Sequence, residues 1–150
     1  MVQALVQRLL LVVASGAIFV SWSEFWFYEV AEDVGRVENL LAYGLLGYLF
    51  FVLLQRFRVS DFTGLFIAAC TLGFLIEGVP VPVVYSGPPF SIVWTSMAWH
   101  ALLTVVIGWF LFRQVMASSN WVRKGLLCLG IGVFLGLWNS FMWYAVEQAD

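Results

Sequence analysis

Five long apolar segments follow one another along the chain, and short segments that hold most of the charged residues separate them. A hydrocarbon core of about 30 Å is crossed by about 20 helical residues, and each segment comes close to that length or exceeds it. The fold class predicted is an all-α, polytopic membrane helix bundle in one transmembrane domain, residues 1–150. Its five transmembrane helices are expected at about residues 3–29, 38–55, 61–78, 91–113 and 121–147.

The charged residues alternate in sign between the connections. The basic ones lie before the first segment, after the second, and between the fourth and fifth: Arg8, Arg56, Arg58, Arg113, Arg123 and Lys124. The other connections and the C-terminus are acidic, with Arg36 as the exception. Because Lys and Arg accumulate in cytoplasmic loops, the pattern predicts a cytoplasmic N-terminus and an external C-terminus.

Composition supports a lipid environment. The chain is 63% hydrophobic and 11% charged, whereas a soluble domain has about 25% charged residues. No basic patch for nucleic acid is present. Apolar character continues from Leu9 well past Gly16, which favours an uncleaved first helix over a signal peptide. We therefore expect a multi-pass protein of the membrane, with the bacterial plasma membrane as the most natural location and the lipid bilayer as its first partner.

The connection at residues 78–90 contains all four prolines and is apolar throughout. Proline lacks an N–H and pushes the preceding residue toward extended geometry, so the segment is predicted to be neither helical nor a central strand. It is interpreted as a lid across the outer helix ends. The alternative is an interfacial loop that only joins the third and fourth helices.

Four helices each carry one polar or ionisable residue within or at the end of an apolar segment: Glu24, Glu77, His100 and Asn139. Such residues are costly in lipid, and each is a functional hypothesis by default. At about 1.5 Å of rise per residue, Glu24 lies roughly 8 Å from its outer helix end. The same count places His100 roughly 14 Å and Asn139 roughly 12 Å deep, with Glu77 near the surface.

All four are therefore predicted to converge in the outer half of the membrane. Tyr28, Trp99 and Trp138 lie at similar levels and are predicted to line the same site. The alternatives are a hydrogen-bonded core histidine for His100, a solvated helix end for Glu77, and core filling for the two tryptophans.

Small or polar residues form one stripe on each helix, which is expected to face the interior. On the first helix the stripe consists of Gln7, Ala14, Ala17, Ser21, Glu24 and Tyr28. On the fifth helix it contains Gly125, Gly132, Gly136 and Asn139, which we interpret as an internal packing face, with homodimerisation as the alternative.

The leading functional hypothesis is the binding of a small amphipathic or cationic ligand, which the protein also transports if the carboxylates and His100 exchange protons. One alternative is a membrane-embedded metal-dependent hydrolase with Glu24, Glu77 and His100 as ligands. Another is a non-catalytic subunit of a larger membrane complex, so that homo-oligomers or other membrane subunits are candidate partners. The sequence assigns no catalytic residue and no cofactor.

Overall fold

The computed structural model describes residues 2–25, 36–80 and 82–147, and these form an all-α bundle. We label the helices α1 (Val2–Glu24), α2 (Arg36–Arg56), α3 (Phe62–Gly78), α4 (Ile92–Ala117) and α5 (Trp121–Glu147). Helices α1, α2, α4 and α5 are long and apolar enough to cross a membrane. The 17 residues of α3 are apolar too, and at about 1.5 Å each they span roughly 26 Å. The predicted all-α bundle is confirmed, and the protein has the helices of a multi-pass membrane protein.

The charged residues at the helix ends distinguish two sides of the bundle. On the side that we call the basic side, α1 begins near Arg8, α2 ends at Arg56, and α4 turns into α5 beyond Arg113. The other side, which we call the acidic side, is where α3 ends next to Glu77 and α2 begins before Glu38.

Helix α3 begins where the sequence predicts. Asp61 has extended backbone geometry, and its carboxylate accepts a hydrogen bond of 2.8 Å from the backbone N–H of Gly64. Since the first N–H groups of a helix have no partner inside it, this contact satisfies one of them.

Two stretches of backbone are π-helical, with hydrogen bonds from residue i to residue i−5. They are Ser21–Phe25 at the end of α1 and Ile92–Leu111 in α4. Each turn of a π-helix holds more residues than the 3.6 of an α-helix, and π-helical turns are frequent at functional sites. In α4, the polar side chains of Ser96, His100 and Thr104, which follow one another at intervals of four residues, are fully buried.

Glycines allow two helix pairs to pack backbone against backbone. In the α1–α2 pair, a Cβ on Gly16 would lie 2.4 Å from the carbonyl oxygen of Leu40, and one on Gly44 would lie 2.6 Å from that of Val12. In the α3–α4 pair, a Cβ on Gly73 would lie 2.2 Å from the carbonyl oxygen of Ser96. Close contact of this kind is the usual role of small residues between membrane helices.

The inward face of α1 differs from the predicted stripe. Gln7, Ala14 and Ala17 are exposed, and the buried residues of the helix are Ser15, Gly16, Phe19, Val20, Trp22 and Ser23. Ser15 and Gly16 permit the close approach of α2, so the face of α1 that carries them is the buried one. The predicted stripe is therefore wrong by about one residue position, although it leads to the neighbourhood of Glu24.

Aromatic side chains fill the core toward the basic side. The ring of Phe19 meets that of Phe50 edge to face at 6.0 Å, and Trp109 lies 5.2 Å from Phe51. The guanidinium carbon of Arg113 lies 4.6 Å from the centre of the Trp109 ring, a cation–π contact that closes this part of the core.

Helix α5 lies at the edge of the bundle, and none of the side chains described in it is buried. A Cβ on Gly125, Gly132 or Gly136 would have nothing within 4 Å. The prediction that this stripe packs internally is wrong within the described part of the chain, because α5 is held mainly at its first turns, by the end of α4.

The proline-rich connection follows α3 with a short 3₁₀ helix, Pro82–Tyr85, that packs on α3 and α4. Val84 is buried there, and its carbonyl oxygen accepts a hydrogen bond of 2.8 Å from the hydroxyl of Ser91. The segment is ordered against the two helices that it joins. Whether it acts as a lid stays a prediction.

The contact at Gly73 gives a test of the fold. Replacing Gly73 by Ala should destabilise the protein by about 1–3 kcal/mol, because the methyl group would overlap backbone atoms of α4. The measurement is unfolding of the purified protein in mixed micelles, followed by tryptophan fluorescence. The matched control is Gly132→Ala on α5, where the added methyl group meets open space and stability should be unchanged or slightly higher. Equal stability of the two variants would contradict the close α3–α4 contact.

Candidate functional site

Five side chains from four helices form one hydrogen-bonded group on the acidic side of the bundle. We call it the polar cluster, and it consists of Ser23 and Glu24 from the end of α1, Tyr43 from α2, Glu77 from α3 and His100 from α4. Three of its members are sequence-predicted site residues.

Ser23 is at the centre of the polar cluster and is fully buried. Its hydroxyl donates to Glu24 Oε1 at 2.8 Å and lies 3.0 Å from the Tyr43 hydroxyl and 3.1 Å from His100 Nδ1. The hydroxyl of Tyr43 also donates to Glu24 Oε1. One carboxylate oxygen thus accepts from two hydroxyl groups, which stabilises its charge in apolar surroundings.

His100 joins Ser23 to the second carboxylate. Its Nε2 lies 2.6 Å from Glu77 Oε1, and both side chains are almost completely enclosed. Glu77 Oε2 is buried and has no hydrogen-bond partner among the described side chains. The short contact pairs the imidazole with a carboxyl group in a part of the bundle where a lone charge would be very costly.

The cluster has two consistent arrangements of its protons. If Ser23 donates to Glu24, His100 Nδ1–H donates to Ser23, and a proton lies between His100 Nε2 and Glu77. If Ser23 donates instead to Nδ1, then Nε2–H donates to Glu77, and Tyr43 alone donates to Glu24. The two arrangements contain the same number of protons only if Glu24 carries one in the second and donates it to Ser23, and a hydroxyl group allows the transfer between them because it both donates and accepts.

The fold places each member for an identifiable reason. Gly73 lets α3 approach α4 so closely that Glu77, one turn further on, reaches His100. Gly44 does the same between α2 and α1, so that the adjacent Tyr43 reaches Glu24. The π-helical turn at Ser21–Phe25 presents two consecutive residues, Ser23 and Glu24, to the same group.

Both predicted tryptophans lie beside the polar cluster. The indole N–H of Trp99 donates to the backbone carbonyl of Ser23 at 3.0 Å. The ring of Trp99 lies 5.1 Å from that of Trp138 on α5, within the usual range for aromatic pairs. Trp99 is therefore more than core filling, since it binds the backbone of α1 and contacts α5.

The structure does not bring Asn139 to the cluster. Its side chain is exposed, and its amide donates at 3.0 Å to the carbonyl oxygen of Leu135 in its own helix. The predicted convergence of Asn139 with Glu24 and His100 is wrong, because α5 stands away from the bundle. Tyr28, the remaining predicted site residue, lies outside the described residues.

Ser23 and Tyr43 were not predicted. Ser23 lies off the stripe expected from a regular α-helix, so no α-helical periodicity points to it. Tyr43 had a signal in the sequence, since it directly precedes Gly44 and lies one turn before Gly47 on a helix that is otherwise apolar. A tyrosine on a small-residue face is expected to point into a helix contact, where its hydroxyl needs a partner.

The arrangement suits proton exchange better than direct contact of a substrate with His100. Ser23, Tyr43 and His100 are enclosed, whereas Glu24 is partly exposed and forms the accessible end of the network. Among the described residues, no three His, Cys, Asp or Glu side chains are grouped so that they could hold a metal ion. Both ring nitrogens of His100 already face hydrogen-bond partners.

Comparison with known proteins gives no match to this chain: no family model, no curated protein and no solved structure is significantly similar to it.

The hydroxyl of Tyr43 provides a test of the network. Replacing Tyr43 by Phe should destabilise the protein by about 1–3 kcal/mol, because Glu24 and Ser23 each lose a buried partner while the ring stays the same. The control is Tyr48→Phe, a half-buried tyrosine on the same helix that lies outside the cluster, and it should change stability by less than about 0.5 kcal/mol. Unfolding curves of the two variants in mixed micelles would reveal the difference, and coinciding curves would contradict the hydrogen bonds assigned to Tyr43.

Proposed function

We propose that the protein binds a small cationic amphiphile from the outer half of the membrane in exchange for a proton, and that this exchange serves to transport it. The observation that carries the proposal is the hydrogen-bonded series Glu24–Ser23–His100–Glu77, which links three helices and has a carboxyl group at each end. Series of carboxyl and imidazole groups inside membranes are typical of proton relays.

Proton movement is supported by the chemistry of the network. Ser23 and Tyr43 can each donate or accept, and His100 can hold a proton on either nitrogen. A proton taken up at Glu24 therefore has a continuous series of hydrogen bonds along which charge can be passed toward Glu77. Among the described side chains, His100 is the one basic group that pairs with a carboxyl group of the cluster, through its contact with Glu77.

A cationic ligand is supported by the acidic side chain at this end of the bundle and by the aromatic side chains near it. The partly exposed Glu24 offers negative charge, and Trp99 and Trp138 offer aromatic faces nearby. A cation that approaches Glu24 stabilises the ionised carboxylate, so the cluster should hold fewer protons when the cation is bound. This is the linkage that an exchange of a proton for a cation requires.

Proton release on binding tests the proposal. The probe is dodecyltrimethylammonium, added to the protein in weakly buffered nanodiscs with a pH-sensitive dye in solution. We expect saturable release of up to about one proton per protein, because cation binding and protonation compete for the same negative charge.

Substitutions then identify the carboxyl groups on which the release of the proton depends. Glu24→Gln and Glu77→Gln should each reduce the release several-fold, since each removes one carboxyl group of the network. The control is Glu38→Gln, which removes an exposed carboxylate near the start of α2 and should behave as the unmodified protein does. Absence of proton release from the unmodified protein, or equal release from all three variants, would refute the proposal.

The proposal also needs the polar cluster to face outward, with the N-terminus inside and the C-terminus outside. Ser86, in the connection between α3 and α4, and Ser119, between α4 and α5, are both exposed serines on opposite sides of the bundle. With Cys70 and Cys128 replaced by Ser, an impermeant maleimide should label the Ser86→Cys variant in intact cells, because the acidic side then faces outward. The Ser119→Cys variant should be labelled only after permeabilisation. The reverse pattern would invert the orientation.

A further inference from the structure

We infer that the cavity between α4 and α5 holds the hydrocarbon tail of the ligand, so that the ligand is a single-chain amphiphile. This inference rests on the proposed function and names the class of molecule that the site takes. It is carried by the shape, the lining and the position of the cavity relative to the polar cluster.

The cavity has a volume of about 390 Å³ and is lined entirely by apolar side chains and one glycine. One wall is α4 and the other is α5, with one aromatic side chain from α1 closing the back. The lining residues are Trp22, Leu103, Ile107, Leu126, Leu127, Gly130, Ile131, Phe134 and Leu135. A lining without a polar side chain offers a charged or hydrogen-bonding group no partner, so it fits only a hydrocarbon part of a molecule.

The shape of the cavity follows from how the two helices meet. The backbone of α5 approaches that of α4 only near the turn between them, at Phe112–Ala117. Further from this turn the two helices meet through side chains, and the ring of Trp138 contacts that of Trp99. The cavity therefore lies between two helices whose backbones come close near the turn that joins them, and we call it the wedge.

The cavity lies directly beside the polar cluster, on its basic side. Trp22 lines the cavity and immediately precedes Ser23. On α4, Leu103 comes three residues after His100, and on α5, Leu135 comes three residues before Trp138. A molecule with its head at the level of Glu24 would thus place its tail between the helices, pointing toward the middle of the membrane.

The volume decides between a tail and a protein segment as the occupant. A helix is at least about 10 Å wide, so 390 Å³ would contain only about 5 Å of its length, less than one turn. A methylene group is about as large as a water molecule, which takes up about 30 Å³ in the liquid. The cavity therefore has room for about thirteen methylene groups at this volume. A single alkyl chain of about twelve carbons fits, and a helix of another subunit does not.

Photochemical crosslinking tests the inference directly. The probe is dodecyltrimethylammonium that carries a diazirine in the middle of its chain, added to the protein in nanodiscs with the lipid in large excess. After illumination, mass spectrometry should find the adducts on residues of the cavity, chiefly Leu103, Ile107, Ile131 and Phe134. Unlabelled dodecyltrimethylammonium should suppress these adducts, which membrane lipid alone should not do.

Two glycines of α5 give a matched pair of variants. A Cβ on either Gly130 or Gly132 would have nothing within 4 Å, but only Gly130 lines the cavity. Gly130→Leu should fill part of the wedge and lower labelling several-fold, whereas Gly132→Leu should be labelled as the unmodified protein is. Equal labelling of the two variants, or adducts spread over the whole exposed face of α5, would overturn the inference.

The outcome is separable from that of the proposed function. Glu77→Gln removes a carboxyl group of the polar cluster and leaves the lining of the cavity unchanged, so at saturating probe its adducts should fall on the same cavity residues while proton release is reduced several-fold. If labelling is unspecific although the unmodified protein releases protons, the ligand binds at the cluster without its tail in the wedge. If labelling is specific and no proton is released, the cavity binds tails and the proton exchange is refuted.

Discussion

The structure depends on one constraint: a polar side chain in hydrocarbon has to find its hydrogen-bond partners inside the protein. Neither lipid nor bulk water reaches His100 or Ser23, so their partners come from neighbouring helices. Each of the helices α1 to α4 contributes at least one member to the same network. Removing one member would leave its neighbours unpaired and buried, which costs more than the hydrogen bond itself contributes. The polar cluster therefore holds the four helices in one register.

Glycine contacts make this network possible, because side chains as short as serine reach only a few ångströms. Gly16 and Gly44 bring the backbones of α1 and α2 together, and Gly73 does so for α3 and α4. The close approach brings Glu77 to His100 and Tyr43 to Glu24 and Ser23. Packing and hydrogen bonding thus depend on each other: the small residues set the distance, and the polar residues use it.

The sequence predicts the helices well, because length and hydropathy are local properties. It also predicts three members of the polar cluster, since Glu24, Glu77 and His100 are conspicuous in apolar segments. It fails where the result depends on non-local geometry. The inward face of α1 is set by the glycine contact with α2 and by a π-helical turn, neither of which hydrophobic periodicity reveals. The depth predicted for Asn139 says nothing about whether its face of α5 packs against the bundle, and the side chain is exposed.

Trp99 connects the two parts of the proposed site. Its indole N–H binds the carbonyl oxygen of Ser23, so its orientation is coupled to the backbone that carries Ser23 and Glu24. Its ring contacts Trp138 on α5, three residues beyond Leu135 of the wedge. A change of protonation that shifts Ser23 relative to His100 would therefore move the aromatic pair at the mouth of the cavity. The backbone of α5 approaches its described neighbours at the end of α4, so the Trp99–Trp138 contact offers one path by which the proton at the cluster and the space available to a tail would be linked.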